Sequence, residues 1–239
     1  MTDPGEFTGK PIMATLAVVT ALVLLLLAAV GIPVRADSSG VSSPDPAVRT
    51  AEVLARLSGA YASMKSFEAR FKQTSTGLSF PVPVIQEGVL QVQKPNQLRW
   101  EFQKPTRKLF LSDGRELWVV DERDKTCTHY SGVMGSLERF LAVFNGADGL
   151  SKHHRIELVE SSEASLDTLR LLPREQDSAV AEVLLVLERK SGLIRKVVTV
   201  SALGDRTETE LSSLVLGGEI AAEQFRYQQR PGFQLIEAG

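Results

Sequence analysis

The chain has 239 residues, a net charge of −2 and 43% hydrophobic residues, enough apolar surface for one or two domains with a substantial core. The near-neutral balance excludes the broad basic face that nucleic acid demands. A single cysteine, Cys127, excludes an internal disulfide and a thiolate zinc cluster; it fits a small buried hydrophobe, or pairing between chains.

From the N-terminus, Ala14 to Ile32 is apolar except for Thr15 and Thr20. Lys10 precedes the run, and Val34-Arg35-Ala36 follows it as a small-residue cleavage site. Residues 1–36 are therefore expected to be an export signal, cut after Ala36. The run of about 19 residues is also just long enough to span a bilayer, so a retained anchor stands as the alternative. Both place the bulk of the chain outside the cytoplasm. Residues 37–45 (DSSGVSSPD) form a Ser/Pro/Asp linker too polar to fold, and the folded domain is expected over 46–239.

Asp45 before Pro46 is an N-cap followed by proline at the first helical position. Val53, Leu57, Tyr61 and Met64 line one stripe of the helix that follows, with Leu54 beside it. At Ser66 the period changes. Phe67, Ala69 and Phe71 alternate with Glu68, Arg70 and Lys72, a strand with one wet face. Leu90 and Val92, then Leu98, Trp100 and Phe102, flank a Lys94-Pro95-Asn96 turn and read as two half-buried strands.

Strand-like spans lie near 66–76, 84–93, 97–103, 107–112, 115–121 and 125–130. More follow near 153–161, 166–173, 180–189, 193–201, 205–216 and 232–236. One helix interrupts them, with Leu137, Phe140, Leu141 and Phe144 at i, i+3, i+4 and i+7, and Gly146 and Gly149 set to end it. A short helical turn is expected at Ala221–Phe225. About eleven strands and two or three helices thus make one mostly β domain of about 190 residues. Turn signals at Ser112-Asp113-Gly114, Lys190-Ser191-Gly192 and Gly204-Asp205 keep the links short, which favours antiparallel neighbours. So large a sheet must bury its apolar face. A sandwich or closed barrel packed by its own side chains would do so, and so would a curved sheet with helices as a lid over an apolar cavity. Periodicity leaves both open.

The chemistry-bearing residues are sparse. His153 and His154, adjacent in a strand-like run, point to opposite faces and cannot share one ion; they read as a strand start at the surface. Cys127 and His129 share a strand face and are the one candidate thiolate–imidazole pair, with no Gly-rich turn or oxyanion site beside them. Glu157, Glu160 and Glu163 read as solvated faces, as does Thr207-Glu208-Thr209-Glu210. Phosphate-binding loops, dinucleotide fingerprints and nucleophile elbows are lacking. No catalytic residue, metal or cofactor is expected.

A set of motifs carries a family likeness. It runs Phe71-Lys72-Gln73, Gly88-x-Leu90-x-Val92-x-Lys94-Pro95-Asn96-x-Leu98-Arg99-Trp100 and Pro105. Ser112-Asp113-Gly114-x-x-Leu117-Trp118-x-x-Asp121 follows, then Phe225 and Pro231-Gly232-Phe233. Together these resemble the periplasmic outer-membrane lipoprotein carriers of the LolA family, from Pro46 to about Ile236. The resemblance implies an incomplete antiparallel β-barrel with an α-helical lid over an apolar cavity. Its lining would be Phe71, Leu90, Val92, Leu98, Trp100, Phe102, Leu137, Phe140, Leu141 and Phe144. The implied function is to bind lipoprotein acyl chains and move them from the inner to the outer membrane. The implied partners are an inner-membrane lipoprotein-release transporter and an outer-membrane acceptor, with the carrier itself a monomer. The implied alternatives are carriage of another lipid, or a lipid- or lipoprotein-sensing interaction module, anchored or free. In the carriers an Arg before the Pro latches the lid to backbone carbonyls. Lys94 stands there in this chain, with three compact donors in place of a planar fork, and carbonyls of the 137–144 helix are its expected acceptors.

Overall fold

A computed structural model describes residues 45–131, 141–161, 163–174 and 179–238. The export segment, most of the linker, Leu137 and Phe140 lie outside the described residues. Helix α1 (Pro46–Ala62) begins as the sequence predicts. The Asp45 carboxylate accepts the Ala47 amide at 2.9 Å, and Pro46 takes the position where a missing donor is harmless. Val53, Leu57 and Tyr61 are buried along one stripe. Met64 is buried just past the helix end.

Twelve strands follow. The first half of the sheet is β1 (Ser66–Gly77), β2 (Phe80–Gln93), β3 (Gln97–Lys104), β4 (Lys108–Ser112), β5 (Leu117–Asp121) and β6 (Thr126–Tyr130). The second is β7 (His154–Val159), β8 (Leu166–Pro173), β9 (Val180–Glu188), β10 (Ile194–Ser201), β11 (Arg206–Leu216) and β12 (Gln234–Ala238). All lie in one sheet, ordered β12-β6-β5-β4-β3-β2-β1-β11-β10-β9-β8-β7, with β12 and β7 at its ends and no closure into a barrel. Strands joined by short turns are antiparallel, as expected. The exception is β12, which runs parallel to β6, from Gln234 opposite Thr126 to Ala238 opposite Tyr130. The whole second half of the sheet connects these two strands, which supplies the long crossover a parallel pair needs.

The lid differs from expectation. Leu141 leads into a 3-10 turn (Ala142–Asn145) and then into helix α2 (Gly146–His153). Gly146 and Gly149 therefore do not end the helical segment. Gly146, at a φ of 77°, redirects the chain, and a Cβ on it would meet Ser58 Oγ at 2.8 Å. That hydroxyl accepts the Ala147 amide at 2.8 Å, satisfying one of the open donors at the start of α2. His153 ends α2 and His154 opens β7, so the two do not share a strand. His154 is buried rather than at the surface, its Nδ1 3.2 Å from Leu150 O, because α2 packs onto the start of β7.

Helix α1, the 3-10 turn and α2 join the inner face of the sheet in one apolar core. The outer face is covered over β4–β6, where Leu109, Leu111, Val120 and Cys127 pack with Trp118, Tyr227 and Phe233. Strand β4 is buried on both faces, which is why Leu109-Phe110-Leu111 is an unbroken apolar run.

Lys108 and Asp121 face each other across β4 and β5. Their Nζ and Oδ2 lie 2.9 Å apart, with the side chains 9% and 8% exposed. Asp121 Oδ1 also accepts the Arg123 and Asp124 amides at 3.0 and 3.3 Å. Burial alone would push the Asp121 carboxyl up; the Lys108 ion pair and the two amides outweigh it and hold the carboxyl below its usual range. Lys108→Met should therefore lower stability by about 3 kcal/mol, because it strands a buried carboxylate, and adding Asp121→Asn should recover most of the loss. A depressed carboxyl contributes stability above its unfolded-state value and loses it as pH falls through the folded one. Urea titrations between about pH 6 and pH 2 should thus show a shallower acid decline in Asp121→Asn than in the parent.

Candidate functional site

The inward-facing residues of β1, β2 and β3 form one rank. Phe71, Leu90, Val92, Leu98, Trp100 and Phe102 are all buried, in a single cluster with Leu141 and Phe144. The register accounts for it. Phe67 lies opposite Val92, Ala69 opposite Leu90 and Phe71 opposite Gly88; Val92 then faces Leu98, Leu90 faces Trp100 and Gly88 faces Phe102. Gly88 is the one gap in the rank. A Cβ on it would sit 1.9 Å from Glu101 O and 2.8 Å from the Phe71 ring. Its bare backbone lets Phe71 and Phe102 meet edge-on at 4.9 Å. Trp100 stacks on Phe102 at 5.3 Å and meets Phe71 edge-on at 5.8 Å. Phe110 of β4 extends the aromatic patch, 6.1 Å from Trp100. Sequence reasoning missed Phe110, because alternation gives no parity in a run that is apolar at every position.

Phe144 closes this face, its ring 4.5 Å from Phe67 and 5.9 Å from Tyr61. The expected lining residues that are described pack in one buried apolar cluster. Cavities of about 370 and 220 Å³ lie on the opposite, outer side, bordered by Leu109 and Arg230 in one case, Trp118 and Phe225 in the other, and Tyr227 in both.

Lys94 reaches a helix carbonyl on α1; residues 137–140 of the 137–144 segment expected to accept it lie outside the described residues. Its Nζ donates to Tyr61 O at 2.8 Å, and its amide donates to Lys65 O at 2.8 Å. Ser66 pairs with Gln93, so the residue after β2 sits beside the residue before β1, at the end of α1. There the carbonyls lack helical partners and carry the negative end of the helix dipole. Burial lowers the Lys94 ammonium from its ordinary value. Tyr61 also accepts the Ile194 amide on its hydroxyl at 3.1 Å. Burial, opposed by that amide and by Arg195, pushes its phenol up to about 12. The sequence marked Tyr61 as core and carried no signal for its bonds to Lys94 and Ile194.

Cys127 and His129 share the outer face. Burial pushes the Cys127 thiol up, opposed by its hydrogen bond with the Tyr227 side chain and by Arg230. His129 stacks on Trp118 at 4.0 Å, with Nδ1 2.7 Å from Glu237.

The family profile described as outer membrane lipoprotein carrier protein LolA matches residues 62–228. The chain belongs to the LolA family. An outer-membrane lipoprotein carrier protein of Xanthomonas oryzae pv. oryzae is 27% identical over 174 residues, 72% of this chain and 82% of that protein. One from Bordetella pertussis is 25% identical over 178 residues, 74% of this chain and 82% of its own. Among solved structures, an uncharacterized conserved protein from Thermus thermophilus aligns with a TM-score of 0.50 at 12% identity, covering 80% of this chain and 99% of that one, a likeness of fold. The mostly β, unclosed sheet with its few helices is thus a LolA architecture, and the match takes in Lys94 and the whole β1–β3 rank. The family is one of carriers, whose work is binding and transport.

Lys94→Met removes a charged donor from a helix end and should lower stability by about 1–2 kcal/mol. Lys94→Arg should keep most of it. Urea denaturation, with Trp100 and Trp118 as the fluorescent reporters, measures the difference; equal midpoints in all three proteins would reduce Lys94 to a turn residue.

Proposed function

We propose that the domain over residues 46–239 is a periplasmic carrier that takes lipoprotein acyl chains against its inner face, without a chemical step. The observation that carries this reading is the continuous apolar rank of Phe71, Leu90, Val92, Leu98, Trp100 and Phe102, covered by a short lid instead of a second sheet. Membership of the LolA family, and relatives named outer-membrane lipoprotein carrier proteins, support it. Loading requires the lid to withdraw Leu141 and Phe144 and to return over the cargo. Each acyl CH₂ then buried contributes about 0.8 kcal/mol, which offsets the lost contacts between lid and sheet. Lys94, through Tyr61 O, latches α1 in the closed form.

In this reading an inner-membrane lipoprotein-release transporter supplies the cargo and an outer-membrane acceptor takes it. The carrier works as a monomer, and residues 1–36 direct its export. Among the described residues no helix is long and apolar enough to cross a membrane.

Trp100→Glu should abolish acyl binding, since an unpaired carboxylate on this apolar face is far costlier to desolvate than a neutral polar group. Lipid extraction and mass spectrometry of periplasmic protein should return acylated cargo from the parent and none from the variant, with circular dichroism as the fold control. A folded Trp100→Glu protein that holds a labelled fatty acyl probe at parental affinity removes the inner face as the binding site.

A further inference from the structure

The β1–β2 hairpin extends beyond its neighbour. β3 pairs with β2 from Glu87 to Gln93, so among the described residues 80–86 have no strand on that side. The ladder within this projection is interrupted. Ser75 faces Val84 and Gly77 faces Phe80, which leaves Pro81, Val82 and Pro83 bulging opposite Thr76. No residue from Gln73 to Gln86 is charged. Leu78 is 88% exposed and Val82 72%, and Leu203, in the turn between β10 and β11, is 75% exposed. Asp205 fastens the two turns together, accepting the Ser79 amide at 3.0 Å and the Ser79 hydroxyl as well. Val84 and Ile85 bring this one tip to five of the ten exposed large apolar side chains among the described residues, so apolar exposure is concentrated here rather than scattered.

Three occupants can cover such a tip: an added strand, a second copy, or a bilayer. Pro81 and Pro83 have no amide hydrogen and so remove two donors that an added strand needs. The same two prolines lower the cost of moving an unpaired edge into lipid, where every unsatisfied N–H is expensive. The hairpin's own residues 73–86 bring no charge to bury, and the one carboxylate at the tip, Asp205, is bonded to the Ser79 amide and hydroxyl. Charges flank it, with Lys72 opposite Glu87 and Lys104 ion-paired to Glu87 at 3.3 Å at its base, and Arg206, beside Thr76, paired to Glu208 at 2.8 Å. Such a polar collar sets the depth of insertion.

We propose that the β1–β2 tip, with Leu78, Val82 and Leu203 at its apex, is a docking site for a lipid bilayer surface. The proposal stands on the fold and does not depend on the acyl-carrier reading.

The test is a polarity-sensitive fluorophore on Val82→Cys in the full chain; the one native cysteine is buried, so the label goes to the introduced site. The vesicles contain phosphatidylethanolamine and phosphatidylglycerol, with and without doxyl-labelled acyl chains. The emission should move to the blue on adding vesicles and fall by about half or more when the doxyl lipids are present. The same label on Lys190→Cys, in the turn between β9 and β10 at the opposite end of the strands, should stay unquenched even where the N-terminal segment itself binds vesicles. Adding Leu78→Asp and Leu203→Asp to the Val82→Cys protein should return its emission to the vesicle-free value. Absence of quenching at position 82, equal quenching at 190, or undiminished quenching in the Asp variant overturns the proposal. So does a blue shift that needs no vesicles and grows with protein concentration, which assigns the tip to a second copy.

Discussion

Tyr61 fastens helix α1 to both halves of the sheet. Its carbonyl accepts Lys94 from the β2–β3 turn, and its hydroxyl accepts the Ile194 amide at the start of β10. Its ring meets Phe144 of the lid. A helix-end carbonyl and a buried phenol both need partners, and the sheet offers one from each side. The rest of the cover depends on α1 lying where Tyr61 holds it. Ser58 on the same helix seats the first amide of α2, and Arg56 reaches the buried Asp167 of β8 at 2.7 Å. Among the described residues, a twelve-stranded sheet is thereby covered by two helices and a 3-10 turn.

The two faces of the sheet do different work. The inner face is a continuous apolar surface of aromatic and aliphatic side chains, in which Gly88 is the one space that lets the rings interlock. The outer face is sealed over β4–β6 by the segment that carries Tyr227 and Phe233, and by β12, which adds itself beside β6. Cys127 and His129 belong to this seal. Their partners, Tyr227 and Glu237, come from the same C-terminal segment, so the two residues most suggestive of chemistry act as fasteners for the end of the chain.

A LolA carrier needs an interior that is apolar, covered and openable, and each property has its own physical source here. Alternation on β1–β3 makes the face apolar. The short lid makes the cover small enough to move. The described polar contacts between cover and sheet include the Lys94 and Tyr61 bonds, which, in the proposed reading, opening would break along with apolar contacts that cargo replaces.

The period-2 alternation of Phe67 to Lys72 and of Leu98 to Gln103 determined strand positions and the buried face, because one slip of register would turn every apolar residue to water. The Asp45-Pro46 start of α1 was equally legible, since capping is local chemistry. The motifs around Lys94-Pro95-Asn96 carried the family likeness that the profile match then showed. The first residues of β2 were not legible: Pro81 and Pro83 read as non-strand, and only the bulge opposite Thr76 makes room for them. The parallel pairing of β12, the acceptor of Lys94 and the burial of His154 were likewise undetermined by the sequence. Each depends on which distant elements meet, β12 with β6, the end of α1 with the end of β2, α2 with β7. Local periodicity says which face of an element is apolar; only tertiary packing decides what that face, or a lone donor at its edge, will find.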